Sequence, residues 1–196
     1  MPTTTTETPT PTDATTDANV AGDRRARRMQ RLMERPWTAR ARRSRALRRE
    51  LDRRGMITPH FTWRSYACTD GTPVPQSLRA NAVRLHWKLE SLRHGLGDIP
   101  IIVDGPYRTE QRNRQVGGAQ GSRHVHADAA DFFAGQVDSW VAKGRAAGRG
   151  ARSRDDVLAM AERIFRSGGV GNETSGTLHL DARGWRARFV TWMPSR

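Results

Sequence analysis

Hydrophobic residues recur at regular spacing only from about residue 58 onward. Ser77 is placed to cap a first helix, whose apolar residues are spaced by three and four as in an amphipathic helix: Leu78, Ala82, Leu85, Leu89 and Leu92. Ser153 precedes a second helix of the same kind, with one apolar side made of Val157, Ala161, Ile164 and Phe165. Thr109 is a possible cap for a shorter helix that ends at Gly117 and Gly118.

Short apolar runs predict the strands. They cover residues 99–103, 128–133, 177–181 and 186–192, the last two hinged at Gly184. Helices and strands alternate with connections too short for repeated βαβ crossovers. The pattern therefore predicts an α+β domain with a small antiparallel sheet and surrounding helices.

The first 57 residues differ from this domain in composition. Residues 1–22 contain Thr, Pro, Ala and Asp with almost nothing to bury, which predicts a disordered tail. Residues 23–57 are Arg-rich and helix-prone, with Pro36 interrupting the run, and predict a basic arm or linker. The folded domain is expected at residues 58–196.

The formal charge of +14 is concentrated in the arm, since residues 1–22 carry −3, residues 23–54 carry +10 and residues 55–196 carry +7. The arm is either a solvated linker or a site for a polyanion such as a wall polymer, nucleic acid or an acidic membrane surface. One cysteine, Cys68, excludes an internal disulfide framework and a Cys-rich zinc site. No apolar run approaches the ~20 residues of a membrane span, and the N-terminus lacks the pattern of a secretory signal peptide.

Candidate chemistry is concentrated in two segments rich in imidazole and carboxylate groups. His124, His126 and Asp131 lie in the first, and His179 and Asp181 lie in the second. Imidazoles and carboxylates without thiolates suit a catalytic zinc with three protein ligands and one position for water. Side chains at 179 and 181 share one face of a strand, so Asp181 either orients His179 or faces the water. Spacing alone leaves ordinary surface or core histidines as an alternative.

The motif Ser122-x-His124-x-x-Ala127-x-Ala129-x-Asp131 resembles the Ser-x-His-x-x-Gly-x-Ala-x-Asp signature of the M15 peptidases. This family contains zinc D-Ala-D-Ala carboxypeptidases and related peptidoglycan endopeptidases. Three flanking blocks are similar to the family in order and spacing: residues 60–72, 104–118 and 168–184. The resemblance covers about residues 60–190 and implies the D-Ala-D-Ala carboxypeptidase/hedgehog fold.

The resemblance also implies site residues. His124, Asp131 and His179 would bind one Zn²⁺, and Arg108 would hold the scissile carbonyl oxygen or the substrate carboxylate. Ser122 would bind substrate or cap its loop. Tyr107, which precedes Arg108 in the matched block, is a further candidate for substrate binding. His126 falls at an unconstrained position and is expected at the rim or outside the site.

Two positions depart from the family pattern. Ala127 replaces the signature glycine, which is tolerable only where the backbone has a negative φ. Several relatives carry an acidic residue three positions before the last zinc histidine, where this chain has Gly176. Asp181 is therefore the first candidate for the general base, and Glu173 is the second.

The resulting hypothesis is a zinc hydrolase that cleaves D-amino-acid-containing peptide bonds of peptidoglycan stem peptides, as a carboxypeptidase or an endopeptidase. The missing signal peptide predicts a phage-type lysin, located in the host cytoplasm before release or in the phage particle, that acts at the bacterial cell wall. The alternatives are a non-catalytic virion or envelope-binding protein with the same fold, and a nucleic-acid-binding protein that uses the arm. A zinc nucleotide deaminase is excluded because its His-x-Glu and Pro-Cys-x-x-Cys elements are absent.

Overall fold

A computed structural model describes residues 45–172 and 175–189 of the chain. The predicted tail, and the arm up to residue 44, lie outside the described residues. The helices are α1 (Arg45–Arg53), α2 (Arg79–Gly95), α3 (Glu110–Gln115), α4 (Ala134–Ala147) and α5 (Arg154–Ile164). The strands are β1 (Met56–Thr58), β2 (Phe61–Thr62), β3 (Ala129–Phe132), β4 (Gly169–Asn172), β5 (Leu178–Asp181) and β6 (Ala187–Phe189).

The sheet that carries the candidate chemistry has the strand order β3-β5-β4-β6. Strand β5 pairs antiparallel with β3 on one side and with β4 on the other, whereas β4 and β6 run parallel. Strands β1 and β2 form a separate antiparallel pair. This confirms the predicted α+β class with a small sheet, with the difference that one strand pairing is parallel.

Helix α2 matches the apolar spacing read from the sequence. Ala82, Leu85, Leu89 and Leu92 are fully buried, so the predicted apolar side does face the core. The predicted cap is wrong, because Ser77 lies inside a short 3-10 turn and α2 begins after Leu78 without a side-chain cap. Burial of one helix face is enough to hold this helix without a capping residue.

Two other predicted helix starts are confirmed. The Thr109 hydroxyl accepts a hydrogen bond from the backbone N–H of Arg112 at 3.0 Å. Ser153 and Asp156 form a reciprocal capping box at the start of α5. Both caps satisfy backbone N–H groups that a helix start leaves without partners.

The predicted strand at residues 99–103 is wrong. The side-chain amide of Gln136 occupies the place of a strand partner at Ile102, accepting from its N–H and donating to its C=O, both at 2.7 Å. The first backbone contacts with β3 come after the predicted strand: the Asp104 N–H donates to the Asp131 C=O at 3.0 Å, and Gly105 forms an isolated bridge to Asp131. The segment is thus extended but joins no sheet.

The core lies between α2, α5 and the inner face of the sheet. Phe132, Trp140, Phe165 and Leu180 are among its fully buried side chains. Cys68 is also buried, in the way of a small apolar residue. Across the described residues, none of the helices combines the length and apolar character that a membrane crossing requires.

Candidate metal centre

Three structural elements bring the predicted ligands together. His124 lies in the turn before β3, and Asp131 and His179 are directly opposite each other in the β3–β5 register. The backbone N–H of Arg108 donates to the His124 C=O at 3.2 Å, which ties this turn to the 104–108 segment. Gly105 allows the close approach, because a Cβ atom there would be 2.5 Å from Asp131 Oδ2. The pairing of two strands and one turn therefore assembles the cluster.

The three side chains meet at one carboxylate. Asp131 Oδ1 is 2.7 Å from His179 Nδ1 and 3.2 Å from His124 Nε2. One ligand atom from each residue lies within 4.8 Å of the others. The structure thus juxtaposes all three residues that the sequence predicted as metal ligands.

The second ring nitrogen of each histidine, the one that does not face Asp131, contacts an oxygen atom. His124 Nδ1 is 2.9 Å from the Pro106 C=O, and His179 Nε2 is 3.4 Å from Asp181 Oδ2. When these nitrogens donate to their oxygen partners, the lone pairs of His124 Nε2 and His179 Nδ1 face Asp131. A ligating histidine that donates its other N–H to a carbonyl or carboxylate is the usual arrangement at zinc. Two imidazoles and one carboxylate therefore fit a catalytic zinc ion.

The charges and hydrogen bonds within the cluster shift the pKa values of Asp131 and His179. Burial alone would raise the pKa of Asp131, but hydrogen bonds and charge from His124 and His179 hold that pKa far below its usual range. Burial alone would lower the pKa of His179, but hydrogen bonds and charge from Asp131 and Asp181 raise it to about 9. A proton on His179 and a cation beside Asp131 would both be stabilised by the same carboxylate, so cation binding is expected to compete with protonation of His179.

Asp181 lies behind His179 and is completely buried. Its carboxylate accepts hydrogen bonds from the Gly169 N–H at 2.9 Å and from Arg183 Nε at 2.8 Å. Burial raises the pKa of Asp181, but the bonds from His179 and Arg183 outweigh burial and hold the pKa well below its usual range. It does not line the pocket in front of the ligands. This geometry favours the orientation of His179, and the role of Asp181 as general base stays a prediction.

An open pocket of about 420 Å³ lies in front of the three ligands. Arg108 lines it, with Nη2 at 3.2 Å from Asp131 Oδ2. Ser122 also lines it, and its role in binding substrate or capping its loop stays a prediction. Tyr107 does not line this pocket: its side chain is 5% exposed and packs in the core, because successive residues of an extended segment point in opposite directions. Its role in substrate binding stays a prediction.

The structure also places the residues at which this chain differs from the family pattern, and the histidine at an unconstrained position. His126 is exposed and does not line the pocket, in agreement with its predicted place outside the ligand set. Ala127 has a φ of 54°, the left-handed conformation for which the signature glycine is suited. Gly176, at the position of the absent acid, has a φ of 80°. Glu173, the second candidate for the base, lies outside the described residues.

Sequence reasoning missed two arginines of the pocket, Arg123 and Arg183. The Arg123 guanidinium is 5.8 Å and the Arg183 guanidinium 5.9 Å from the ring centre of Trp185, which is 61% exposed. Their positions in the sequence could have identified them. Arg123 is adjacent to His124, and Arg183 lies four residues after His179, an even spacing that puts both on the same side of an extended chain. Pocket lining also includes exposed apolar side chains, Val116 and Phe133.

Comparison with known proteins adds independent information. The sequence profile of a family described as Peptidase M15 matches residues 51–156, just over half of the chain. A zinc D-Ala-D-Ala carboxypeptidase of Streptomyces albus G is 51% identical over 57 residues. That match covers 29% of this chain and only 22% of the length of the relative. His179 lies beyond the profile match, so its place beside Asp131 comes from the structure.

Proposed function

The chain belongs to the peptidase M15 family, and we propose on that basis that it is a zinc-dependent peptidase that hydrolyses D-amino-acid-containing peptide bonds of peptidoglycan. The observation that carries the proposal is the His124–Asp131–His179 cluster at the base of an open pocket. The substrate class is supported by the D-Ala-D-Ala carboxypeptidase relative. We further propose that the protein acts as a lysin at the bacterial cell wall. It would be located in the host cytoplasm before release, or in the phage particle.

The proposed chemistry divides among the residues of the pocket. A zinc ion held by His124, Asp131 and His179 would act as a Lewis acid toward the scissile carbonyl and activate water at neutral pH. Pro106 and Asp181 fix the two imidazole rings through their other nitrogens. Fixed orientation of the ligands matters because a catalytic site loses rate when its groups are misplaced by even 1 Å.

Arg108 is suited to the charge that develops on the carbonyl oxygen. Its guanidinium contacts Asp131, a ligand, and its side chain is 26% exposed toward the pocket. A guanidinium already in place stabilises an oxyanion without reorganisation during the reaction. Ser122, two residues before His124 in the chain, supplies a hydroxyl to the pocket that can bond the substrate backbone.

Mass spectrometry of purified peptidoglycan after incubation with the zinc-loaded protein tests this proposal. Loss of terminal D-Ala identifies a carboxypeptidase, and separation of cross-linked dimers identifies an endopeptidase. We expect either product to disappear with a chelator and in His124→Ala or His179→Ala, together with the bound zinc. His126→Ala is the matched control: it removes an imidazole two residues from His124, outside the pocket, and should retain zinc and activity.

One tightly bound zinc without cleavage of several wall types would instead favour a non-catalytic protein with the same fold. Full activity in His179→Ala would contradict the assigned ligand set. Zinc content is measured on each variant before the assay, so that loss of metal and loss of catalysis are read separately.

A further inference from the structure

A loop between α3 and the His124 turn forms one wall of the pocket in front of the metal ligands. All residues from 118 to 122 line the pocket. We refer to residues 118–121, with the sequence Gly-Ala-Gln-Gly, as the pocket loop. Apart from Gln120, the pocket loop carries no side chain larger than a methyl group, so a ligand can approach its main chain closely.

Most main-chain polar groups of the pocket loop have no partner in the protein. The Ala119 C=O is the exception, since it accepts from the Ser122 N–H at 3.1 Å and from the Asn113 side-chain amide at 3.0 Å. In the part of the chain that the structure describes, the N–H groups of residues 119–121 donate no hydrogen bond to the protein, and the C=O groups of residues 118, 120 and 121 accept none. Exposed main-chain donors and acceptors of this kind can pair with a second extended chain.

Asn113 holds the pocket loop from behind. It lies on α3 and is 4% exposed. Its C=O accepts from the Gly118 N–H at 2.8 Å, and its Nδ2 donates to the Ala119 C=O at 3.0 Å. The loop is therefore anchored at its first two residues before any ligand enters, which lowers the entropy that binding would cost.

The fit between Asn113 and Gly118 leaves no room for a side chain. A Cβ atom at Gly118 would be 2.0 Å from Asn113 Oδ1, an atom that is buried and has no hydrogen-bond partner within the described residues. Gly118 does not have a positive φ, so this close contact, and not the backbone conformation, requires glycine. Both residues lie in the matched block 104–118, and neither takes part in the chemistry proposed above.

We propose that the pocket loop pairs with the main chain of the peptide substrate, and that Asn113 is the positioning residue that holds the loop for this pairing. The inference rests on the proposed function and adds a subsite to it, whose occupant is the backbone of the stem peptide beside the scissile bond. Main-chain pairing recognises the N–H and C=O groups that every peptide bond carries, whichever side chain lies between them.

The test uses a soluble stem peptide and a series of analogues. In each analogue one N–H, other than that of the scissile bond, is replaced by an ester oxygen, which removes a donor and weakens the neighbouring acceptor without added bulk. The zinc-loaded full chain is assayed as wild type, Gly118→Ala, Asn113→Ala and Asn113→Ala/Gly118→Ala. Gly135→Ala is the matched control, because Gly135 does not line the pocket and has nothing within 4 Å of its Cβ position.

We expect at least one ester analogue to lower kcat/KM of the wild type by about three- to tenfold, as the loss of a neutral hydrogen bond predicts. Gly118→Ala and Asn113→Ala should raise KM for the parent peptide by a similar factor and lose the difference between amide and ester, with kcat and bound zinc retained. The double variant should be no worse than Asn113→Ala, because alanine at position 113 vacates the space that the new Cβ atom needs. Gly135→Ala should behave as the wild type.

A loop with a purely structural role would lower the stability of these variants without changing the ratio of amide to ester. Equal kcat/KM for the parent peptide and all ester analogues in the wild type would therefore overturn the proposal. A ratio that is retained in both Gly118→Ala and Asn113→Ala would also overturn it, since another part of the pocket would then pair with the substrate.

A calorimetric titration with the same peptides separates this inference from the proposed function. It applies if the zinc-loaded wild type hydrolyses none of the peptides. Weaker binding of an ester analogue in the wild type, but not in Gly118→Ala, would then leave the subsite standing while the proposed function fails. A chain that neither cleaves nor binds any of the peptides would overturn both.

Discussion

At the residue scale, Arg108 contacts the same carboxylate as the two histidines of the candidate metal site, since Arg108 Nη2 is 3.2 Å from Asp131 Oδ2. We predict that Arg108→Gln lowers kcat by about 10²–10³-fold, because the oxyanion loses its positioned donor. Bound zinc should be retained. Steady-state kinetics on a soluble peptide that ends in D-Ala-D-Ala, with zinc analysis, checks the prediction.

Arg114 is exposed on α3 and does not line the pocket, so the same assay on Arg114→Gln shows whether a change of net charge alone matters. A loss of zinc would mean instead that the Arg108–Asp131 contact organises the ligand set.

Asp181 offers a second prediction at this scale, because its carboxylate is completely buried and bonded to Arg183, Gly169 and His179. We predict that Asp181→Asn weakens zinc binding by about 10–100-fold through the orientation of His179. Saturating zinc should then restore most of kcat. Equilibrium zinc titration and kinetics at high zinc concentration measure the two effects separately.

Glu173→Gln is the informative comparison for the general base. A fall in kcat in Glu173→Gln at full zinc occupancy, with loss of one limb of the pH–rate profile, assigns the base to Glu173. If Asp181→Asn remains inactive at saturating zinc, Asp181 is the base and its predicted positioning role is wrong.

At the element scale, helix α2 carries a buried histidine. His86 is fully buried, donates from Nδ1 to the Ala82 C=O at 2.8 Å, and packs edge-on against Phe61 and Tyr66. Its Nε2 atom has no hydrogen-bond partner within the described residues. Burial lowers the pKa of His86 from 6.5 to about 4, with only partial opposition from the Ala82 bond and Glu90.

This lowered pKa predicts a pH-dependent stability. Above pH 6.5 both folded and unfolded chains leave His86 neutral, so its contribution is constant. Between pH 6.5 and 4 the unfolded chain takes up a proton that the folded chain refuses, and the free energy of unfolding falls by up to about 3 kcal/mol. Urea titrations across this range should show the fall in the wild type and a flatter profile in His86→Leu.

His94→Gln is the matched control, because His94 lies on the same helix but is exposed to solvent. Its profile should follow the wild type between pH 6.5 and 4. An equally steep fall in His86→Leu would mean that other groups, such as the carboxylates of the metal centre, cause the acid destabilisation.

The elements also show how far the sequence pattern reaches. The spacing of apolar residues found α2 and α5, because each buries one face against the core. Strand β4 contains two glycines in four residues and has no strand signature; pairing with β5 and β6 forms it. The segment 99–103 has the residue types of a strand, but the Gln136 side chain, and not a neighbouring strand, bonds its backbone at Ile102. Whether a side chain or a strand pairs with such a segment depends on tertiary contacts, which local residue spacing does not contain.

At the scale of the whole molecule, the ligand set was predictable from the order of four motif blocks, since His124, Asp131 and His179 are at matched positions. Their convergence follows from register, which places Asp131 opposite His179. For Asp181 the strand period left two alternatives, and the structure favours the one in which it orients His179. The core position of Tyr107 and the pocket position of Arg123 were not predictable. Each depends on which way a side chain points within a block that the sequence had already identified.

The distribution of charge gives the last prediction. Residues 23–54 carry +10 of the total +14, and nine arginines lie between residues 24 and 43. A segment with this charge density binds polyanions with a steep dependence on salt, because binding releases condensed counterions. The chemistry proposed for the pocket, in contrast, uses none of these arginines.

We therefore predict that replacing the nine arginines by glutamine, in the full chain, abolishes sedimentation with purified cell walls at 50 mM salt. Wild-type binding should decline steeply toward 200 mM salt, and kcat/KM for a soluble stem peptide should be the same in both proteins. His179→Ala serves as the reverse control, with wall binding kept and cleavage lost. Equal sedimentation of the glutamine variant would assign wall binding to the catalytic domain. A parallel titration with double-stranded DNA separates affinity for wall polymers from affinity for nucleic acid.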